Sequence, residues 1–401
     1  MDQPWSGREL HFVGILGAGM SGLAKVARIL GATVTGSDRA LAGHGAENVP
    51  PGATVVYSTA IAPDNPERTT GAPELHRADL LAQLTRLKPT IAVSGTHGKT
   101  TTTSMIVHAF PGQSYLVGGD VRSTGANADW TGGEWLIVEA DESDRSLLKL
   151  HPTIALVTNA ELDHHTTYAS SRDVDDTFHA FLARAQQRVV APDLLRLAPD
   201  ATVFGEFDGP LGVPGAHNRR NAAAALTALR VAGADVEAAA ARLATFAGAG
   251  RRFEDLGTTT SGARVVDDYA HHPTEVRATI EAARSQDPKR VVALFQPHLY
   301  SRTQREARNF GAALAAADLV VVLDVYPARE RAEDYPGVSG LSVARAAAER
   351  GRPVFWAREH ATARRFLDGE LQAGDLLLTM GAGDVNTIGR DLAAHREPSR
   401  Q

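Results

Sequence analysis

At 401 residues, of which 43% are hydrophobic, the chain is long enough to bury two or three separate cores. Its 41 basic and 47 acidic residues leave a net charge of −6, which argues against a general nucleic-acid binder, and the absence of cysteine excludes disulfides, thiolate metal sites and a cysteine nucleophile. No basic and then apolar leader opens the sequence and no run approaches the ~18 apolar residues of a membrane span, so a soluble cytoplasmic protein with no membrane partner is expected.

In chain order, the first elements read as strand, turn and helix. His11 to Leu16 is a predicted strand, GAGMSG (Gly17 to Gly22) is the turn, and Leu23 to Leu30 is a helix. A second strand, Thr33 to Gly36, ends at Ser37 and Asp38. A GxGxxG run after a strand and before a helix, with an acid 21 positions past its first glycine, meets the dinucleotide-fold fingerprint. Such glycines admit any diphosphate to a helix N-terminus, so NAD, FAD and a UDP-sugar all remain compatible with them. A third strand, Thr54 to Ser58, precedes the proline-containing loop TAIAPDNPE, and His76 to Arg86 reads as a helix. Lys88-Pro89 then breaks the chain, which places a first domain at 1–88.

The stretch Ile91 to Ser104, IAVSGTHGKTTTTS, is a β-branched strand, a Gly-rich turn and a Thr-rich helix start. A turn of this kind leaves backbone N–H groups at the positive end of a helix dipole, where a phosphate is favoured. Lys99 would reach the β- and γ-phosphates of a nucleotide, and Thr100 would hold Mg²⁺. The GxxxxGK pattern is not met strictly, because Val93 occupies the first glycine position. Gly95 and Gly98 bracketing Thr96 and His97 make a tighter loop, of a kind associated with ATP-dependent amide ligases.

Beyond it, Ser114 to Val117 is a strand and GGDVRSTGANADWTGG a long polar loop. Two further apolar strands follow. Trp135 to Val138 delivers Glu139, Asp141, Glu142 and Asp144, and Ile154 to Val157 delivers Asn159, Glu161, Asp163, His164 and His165. In a parallel sheet these strand ends lie where ligands bind, and carboxylate plus imidazole suits Mg²⁺ held with nucleotide phosphates. Helices are expected over Val174 to Gln186, Asn221 to Val231 and Val236 to Ala247, with His217-Asn218 as a cap. Asn218 and Asn221, three apart, fit one helical face that could read an adenine edge.

GAGRRFE (Gly248 to Glu254) reads as a hinge, dividing a central domain 89–248 from a C-terminal domain 249–401. There, strands beginning at Val265, Val291, Leu319, Val354 and Asp375 alternate with helices, a second doubly wound α/β unit. Its polar clusters, DDYAHHPTEV, QPHLYSRT and DVYPARE, again follow strands.

Assembled, GAGMSG, GSD, GHGAENV, SGTHGKTTT, EADESD, TNAELDHH, HNRRN, GAGRRFE, DDYAHHPTEV, FQPHLYSRT, DVYPARE, PGVSG and GAGD make the chain resemble the Mur ligase family from end to end. The resemblance implies an α/β protein of three domains: an N-terminal Rossmann-like UDP-binding fold, a central P-loop ATPase-like parallel sheet and a C-terminal Rossmann-like domain. It implies ATP and Mg²⁺ as cofactors. The reaction implied is an ADP-forming ligation of L-alanine to the muramoyl carboxylate of UDP-N-acetylmuramate, by a monomer or homodimer in peptidoglycan precursor synthesis. By the same resemblance, Gly95, Thr96, His97, Gly98, Lys99, Thr100 and Thr101 would line the phosphates, with Thr100, Glu139 and His164 at magnesium. Asn218 and Asn221 would lie at the base, Arg252 at the phosphates and Asp268 at the ribose. His298 and Arg302 would meet the acyl phosphate, and Gly337, Val338 and Ser339 would seat L-alanine.

The UDP-sugar would be met by Gly17, Gly19, Met20, Ser21 and Gly22, with Ser37 and Asp38 at the uracil edge and His44, Ser58 and Thr59 at the diphosphate. Leu299 departs from the family pattern, where some relatives carry arginine, and the link between Phe204 and Ala216 is shorter than in relatives. Two other readings remain: a ligase that recycles a whole murein peptide, and a nicotinamide-dependent oxidoreductase, which would leave Lys99, Glu139 and His164 without work. A nucleotide-binding scaffold without catalysis would predict decay in the magnesium ligands, and none is visible.

Overall fold

The computed structural model describes residues 3–41, 43–165 and 167–393; residues 1–2 and 394–401, at the outer ends of the two terminal domains expected from sequence, lie outside the described residues. Three mostly parallel sheets follow one another along the chain. The first comprises β1 (Glu9–Val13), β2 (Thr33–Ser37), β3 (Thr54–Tyr57) and β4 (Glu74–His76) in the order β2-β1-β3-β4, with helices α1 (Ala18–Ile29) and α2 (Arg77–Leu84). Two boundaries differ most from the sequence reading, and β4 is a strand it did not expect. Strand β1 ends at Val13 because the Gly14 and Ile15 amides turn to the Ser37 carbonyl at 2.8 and 2.9 Å, with Gly14 at φ +76°. The helix then starts at Ala18, so the glycine motif is mostly helix, and the turn lies before it.

The second sheet takes β5 (Thr90–Ser94), β6 (Ser114–Val121), β7 (Ala126–Asp129), β8 (Leu136–Glu139), β9 (Ile154–Val157), β10 (Gln187–Val190) and β11 (Thr202–Val203), in the order β11-β10-β9-β5-β8-β6-β7. Helices α3 (Lys99–Ala109), α4 (Ser171–Leu182), α5 (Ala216–Val231) and α6 (Val236–Leu243) accompany it. Strands β5 and β9 are buried at every residue, as parallel strands covered on both faces are. Because β5 is the middle strand, the loop that follows it opens at the centre of the sheet's carboxyl edge.

The stretch read as one long polar loop is instead a hairpin, with β6 and β7 antiparallel. Tertiary contacts account for it. Helix α1 of the first sheet lies on this hairpin: Lys25 Nζ donates to the Ala128 carbonyl at 2.7 Å and Asn127 Nδ2 to the Ala18 carbonyl at 2.7 Å. A Cβ on Gly22 would stand 3.1 Å from Ala128 Cβ, so the third glycine of the motif is where helix and hairpin come closest. These two sheets make one compact unit; residues 213–218 group with the third sheet in another.

That third sheet runs β12-β13-β17-β14-β15-β16. Its strands are β12 (Glu254–Thr258), β13 (Arg264–Asp268), β14 (Arg290–Phe295), β15 (Leu319–Leu323), β16 (Val354–Ala357) and β17 (Asp375–Met380), and only β12 is antiparallel. The helices are α7 (Pro273–Arg284), α8 (Tyr300–Leu314), α9 (Gly340–Ala348), α10 (His360–Glu370) and α11 (Asn386–Ala393). Alternation along β14 feeds two apolar layers, Val291, Ala293 and Phe295 on one face, Val292 and Leu294 on the other. Among the described residues no helix is long and apolar enough to cross a membrane.

Candidate active site

The loop between β5 and α3 is built by two glycines that no other residue could replace cheaply. Gly95 sits at φ +135°, where an added Cβ would collide with Thr158 Oγ1, and Gly98 sits at φ +80° with Asn221 Oδ1 only 2.6 Å from where its Cβ would be. The segment after β9 laces the loop from outside. Asn159 Oδ1 accepts the His97 amide at 2.8 Å, Thr158 Oγ1 donates to the His97 carbonyl at 2.6 Å, and Thr96 Oγ1 donates to the Glu161 carbonyl at 2.9 Å. Helix α3 starts on Gly98 without a side-chain cap, so the N–H groups of its first turn remain for a ligand.

Lys99 lies folded back over this loop. Its ammonium donates to the Gly95 carbonyl at 2.7 Å and the Thr96 carbonyl at 3.2 Å, and meets the two Glu142 oxygens at 3.0 and 2.8 Å. Burial works against its charge, but Glu142, Asp141 and Glu139 together raise its pKa above the ordinary lysine value. Glu142 also approaches His164 Nε2 at 3.3 Å. The sequence reading named Glu142 within its acidic cluster without assigning it a partner; the structure makes it the carboxylate shared by lysine and histidine.

One step along the helix, Thr100 Oγ1 donates to Glu139 Oε1 at 3.1 Å, while Glu139 Oε2 accepts the Gly118 amide at 2.8 Å. Thr101 is buried behind it. A hydroxyl, a carboxylate oxygen and, beyond Lys99, the Glu142–His164 pair form a donor set suited to a hard divalent cation beside phosphates. Arg77 Nη2 holds Asp141 at 2.8 Å, and Thr59 Oγ1 donates to Asp144 Oδ2 at 3.2 Å, so residues of the first sheet reach this carboxyl edge.

At the first sheet, Ser37 and Asp38 both have partners. Ser37 Oγ donates to Glu67 Oε2 at 2.6 Å and lies 2.9 Å from His44 Nδ1, whereas Asp38 accepts the Leu16 and Ala40 amides at 3.2 and 3.0 Å. Met20 is buried, Ser21 Oγ donates to the Ala18 carbonyl at 3.1 Å, a Cβ on Gly19 would lie 3.4 Å from Arg77 Nη1, and Ser58 turns the chain by accepting the Ile61 amide at 3.0 Å. Glu67 was not singled out from sequence, since within NPERTT nothing marks it as other than a loop acid.

In the second unit, Asp268 ends β13 and accepts the Phe253 and Ala270 amides, each at 2.8 Å. Arg252 stacks over the Tyr269 ring at 5.2 Å. Its neighbour Arg251 is spent on structure: it pairs with Asp267 at 3.0 Å and donates to the Gly381 and Gly383 carbonyls at 2.7 and 3.0 Å. Asn218 lies inside α5, not at a cap, and donates to the Pro214 carbonyl at 2.6 Å. Arg302 Nη1 lies 3.3 Å from His298 Nδ1, and the His298 ring stacks on Tyr326 at 5.9 Å. Leu299, at φ +70°, precedes α8. Gly337 to Ser339 lead into α9, whose first amide, Gly340 N–H, is held by Asp324 at 2.8 Å, a tie that only the folded chain reveals.

Two groups of this unit, Asp268 and the partly buried His217, titrate in opposite senses. Burial pushes Asp268 up to about 6 against Arg252 and its two amide partners, and burial pushes His217 down to about 4, with Arg252 lowering it further and Glu275 resisting. Between 3.8 and about 6 the folded state holds the Asp268 proton that the unfolded state has lost, so this contribution to stability falls as pH rises. Between about 4 and 6.5 the unfolded state holds the His217 proton that the folded state lacks, so that contribution rises. Each is worth roughly 3 kcal/mol, and they cancel. Urea denaturation from pH 4 to 6.5 should show His217→Asn losing stability as pH rises and Asp268→Asn gaining it. The same slope in both variants would rule this out.

Comparison with known proteins gives a consistent picture. A family model described as "Mur ligase family, catalytic domain" matches residues 9–89, and one described as "Mur ligase, glutamate ligase domain" matches residues 251–383. A UDP-N-acetylmuramate–L-alanine ligase of Streptomyces coelicolor is 40% identical, covering 97% of this chain and 96% of the relative. That alignment extends over 454 positions, so the relative carries stretches that this shorter chain lacks. Among solved structures, the UDP-N-acetylmuramate–alanine ligase of Thermotoga maritima superposes with a TM-score of 0.82 at 25% identity, covering 96% of this chain and 98% of that one. A murein peptide ligase from Psychrobacter arcticus superposes with a TM-score of 0.72 at 21% identity, covering 97% and 98%.

Proposed function

The chain belongs to the Mur ligase family, and from that premise we propose that it is an ATP-dependent, ADP-forming ligase that joins L-alanine to the muramoyl carboxylate of UDP-N-acetylmuramate. The observation that carries the reading is the 40% identity to a relative of that name over nearly the whole of both chains. A carboxylate and an ammonium do not condense in water at neutral pH, so the acid must first become a better acyl donor. Transfer of the γ-phosphoryl group of ATP to the muramoyl carboxylate gives an acyl phosphate, and attack by the amine of L-alanine then expels phosphate.

The loop suits the first step. Backbone N–H groups at the start of α3 cradle phosphate oxygens, and Lys99 turns from Glu142 to the γ-phosphate, where its charge offsets that of two approaching anions. Thr100 and Glu139 would hold Mg²⁺, with His164 and Glu142 placed for a second ion, and the metal would supply further neutralisation of phosphate charge. His298 and Arg302 are assigned to the acyl phosphate, Asn218, Asn221, Arg252 and Asp268 to the nucleotide, and Gly337 to Ser339 to L-alanine.

Phosphate release from ATP, measured with UDP-N-acetylmuramate present and L-alanine, L-serine, glycine or a murein tripeptide offered in turn, tests the reading. L-Alanine should be preferred. Preference for the tripeptide would instead favour a murein peptide ligase, as the Psychrobacter neighbour is named. Glu139→Gln should raise the Mg²⁺ concentration at half-maximal activity by roughly tenfold and weaken Mn²⁺ binding, read by electron paramagnetic resonance without substrates, by a similar factor. A change confined to the KM for UDP-N-acetylmuramate would withdraw the metal assignment.

A further inference from the structure

A cavity of about 130 Å³ opens in the first sheet, lined by His11, Thr35, Gly36, Ser37, Gly43 and Asn48 among others. It is large enough for one flat ring. Against three of these residues lies Glu67, whose side chain is fully buried. Its carboxylate accepts the Ser37 hydroxyl at 2.6 Å, the Asn48 side-chain amide at 2.8 Å and the Gly45 backbone amide at 3.1 Å. His11 Nε2 and His44 Nδ1 lie 3.5 and 3.6 Å from the same oxygen that Ser37 bonds. Burial favours a neutral acid, yet the three hydrogen bonds and His11 prevail and hold Glu67 below the ordinary glutamate range.

One carboxylate thus joins strand β1 through His11, the end of β2 through Ser37, and the turn 43–48 through Gly45 and Asn48. Asn48 passes the restraint on, since its amide also donates to the Gly43 carbonyl at 3.2 Å on the cavity wall. Glu67 decides a proton position too. Ser37 has a single hydroxyl proton and gives it to Glu67, so the contact of Ser37 Oγ with His44 Nδ1 requires the histidine to be the donor. In the neutral ring His44 Nε2 is then the acceptor nitrogen.

We propose that Glu67 is the positioning residue of the nucleotide-sugar pocket, holding Ser37, His44 and the 43–48 turn in the arrangement that receives the uridine diphosphate end of the substrate. The inference rests on the ligase reading for the identity of that substrate. It assigns Glu67 no contact with the ligand; it acts through the residues it holds.

Steady-state kinetics with UDP-N-acetylmuramate, ATP and L-alanine varied in turn test it on the full-length protein. Glu67→Ala should raise the KM for UDP-N-acetylmuramate by about tenfold or more, leaving kcat and the KM for ATP within about twofold of wild type, because binding is lost uniformly along the reaction. Glu67→Gln should recover most of the affinity. Its carbonyl can accept Gly45 and Asn48 while its amide donates to Ser37 Oγ. If Glu67→Ala does not fold, Asn48→Leu is decisive instead, and should show the same selective rise at about threefold or more. A lower kcat with every KM unchanged would mean that Glu67 only stabilises the fold, and would overturn the proposal. So would equal rises in the KM for UDP-N-acetylmuramate and for ATP. A wild-type protein that ignores UDP-N-acetylmuramate would instead overturn the ligase reading on which the substrate's name depends.

Discussion

Lys99→Ala should lower ligation turnover by roughly 10³-fold, with the KM for L-alanine little changed. The size of the effect follows from where the ammonium sits. It is surrounded by the Gly95 and Thr96 carbonyls and the Glu142 carboxylate, four acceptors for three donors, so it is held ready at the loop without being available until a phosphate competes. The phosphate oxygens are stronger acceptors for a cation than the two carbonyls, and exchange leaves Glu142 with His164. Removing the lysine takes away the one side-chain cation on this loop, just where charge accumulates as the phosphoryl group moves. The loop should keep its shape, since Gly95, Gly98 and the bonds from Thr158 and Asn159 set it. Circular dichroism and thermal melting should therefore stay close to wild type while phosphate release disappears. Turnover near wild type in the variant would refute the phosphate-loop assignment.

Gly95→Ala should be nearly as damaging for a different reason. Its backbone, at φ +135°, is a conformation essentially confined to glycine, and the added methyl would run into Thr158 Oγ1 and stand 3.1 Å from the Thr158 and Asn159 amides. No rotation of a side chain relieves two backbone contacts. Either β5 and β9, which are paired in the centre of the sheet, move apart or the loop unwinds from the start of α3. We expect a stability loss on the order of 3 kcal/mol and at least about a 10²-fold fall in kcat/KM for ATP. Urea denaturation and nucleotide titration read the two losses separately. A variant that keeps both within about twofold of wild type would show that the loop is not built as described.

Much of this was legible in the sequence because local pattern and tertiary demand agree there. The strands Ile154–Val157, Leu319–Leu323 and Asp375–Met380 fall where their apolar runs put them, and Gly95 and Gly98 mark the turn between β5 and α3 that needs them. Where the two disagree, the sequence misleads. The polar stretch after Ser114 pairs as a hairpin because α1 covers it, which no local signal encodes. The HNRRN stretch looks like a helix cap but continues α5 from Ala216. Residues that act through distant partners were hardest to see. Glu142 meets Lys99 43 positions away, and Glu67 meets Ser37 across 30. In each case the carboxylate sits in a polar run, and only the fold buries it against a cation or a hydroxyl.

The seat of α1 on the β6–β7 hairpin bears on how such enzymes can be recombined. A Rossmann-like module is usually regarded as portable, with the glycine motif as its own business end. Here Gly22, Lys25 and the Ala18 carbonyl are also the docking face for Ala128 and Asn127 of the neighbouring sheet. A chimera that exchanged residues 1–88 for those of a relative with a different sugar or peptide specificity would leave that face mismatched. Residues 114–129 would have to travel with it, so the unit to be exchanged is a discontinuous one that crosses the domain border expected from sequence.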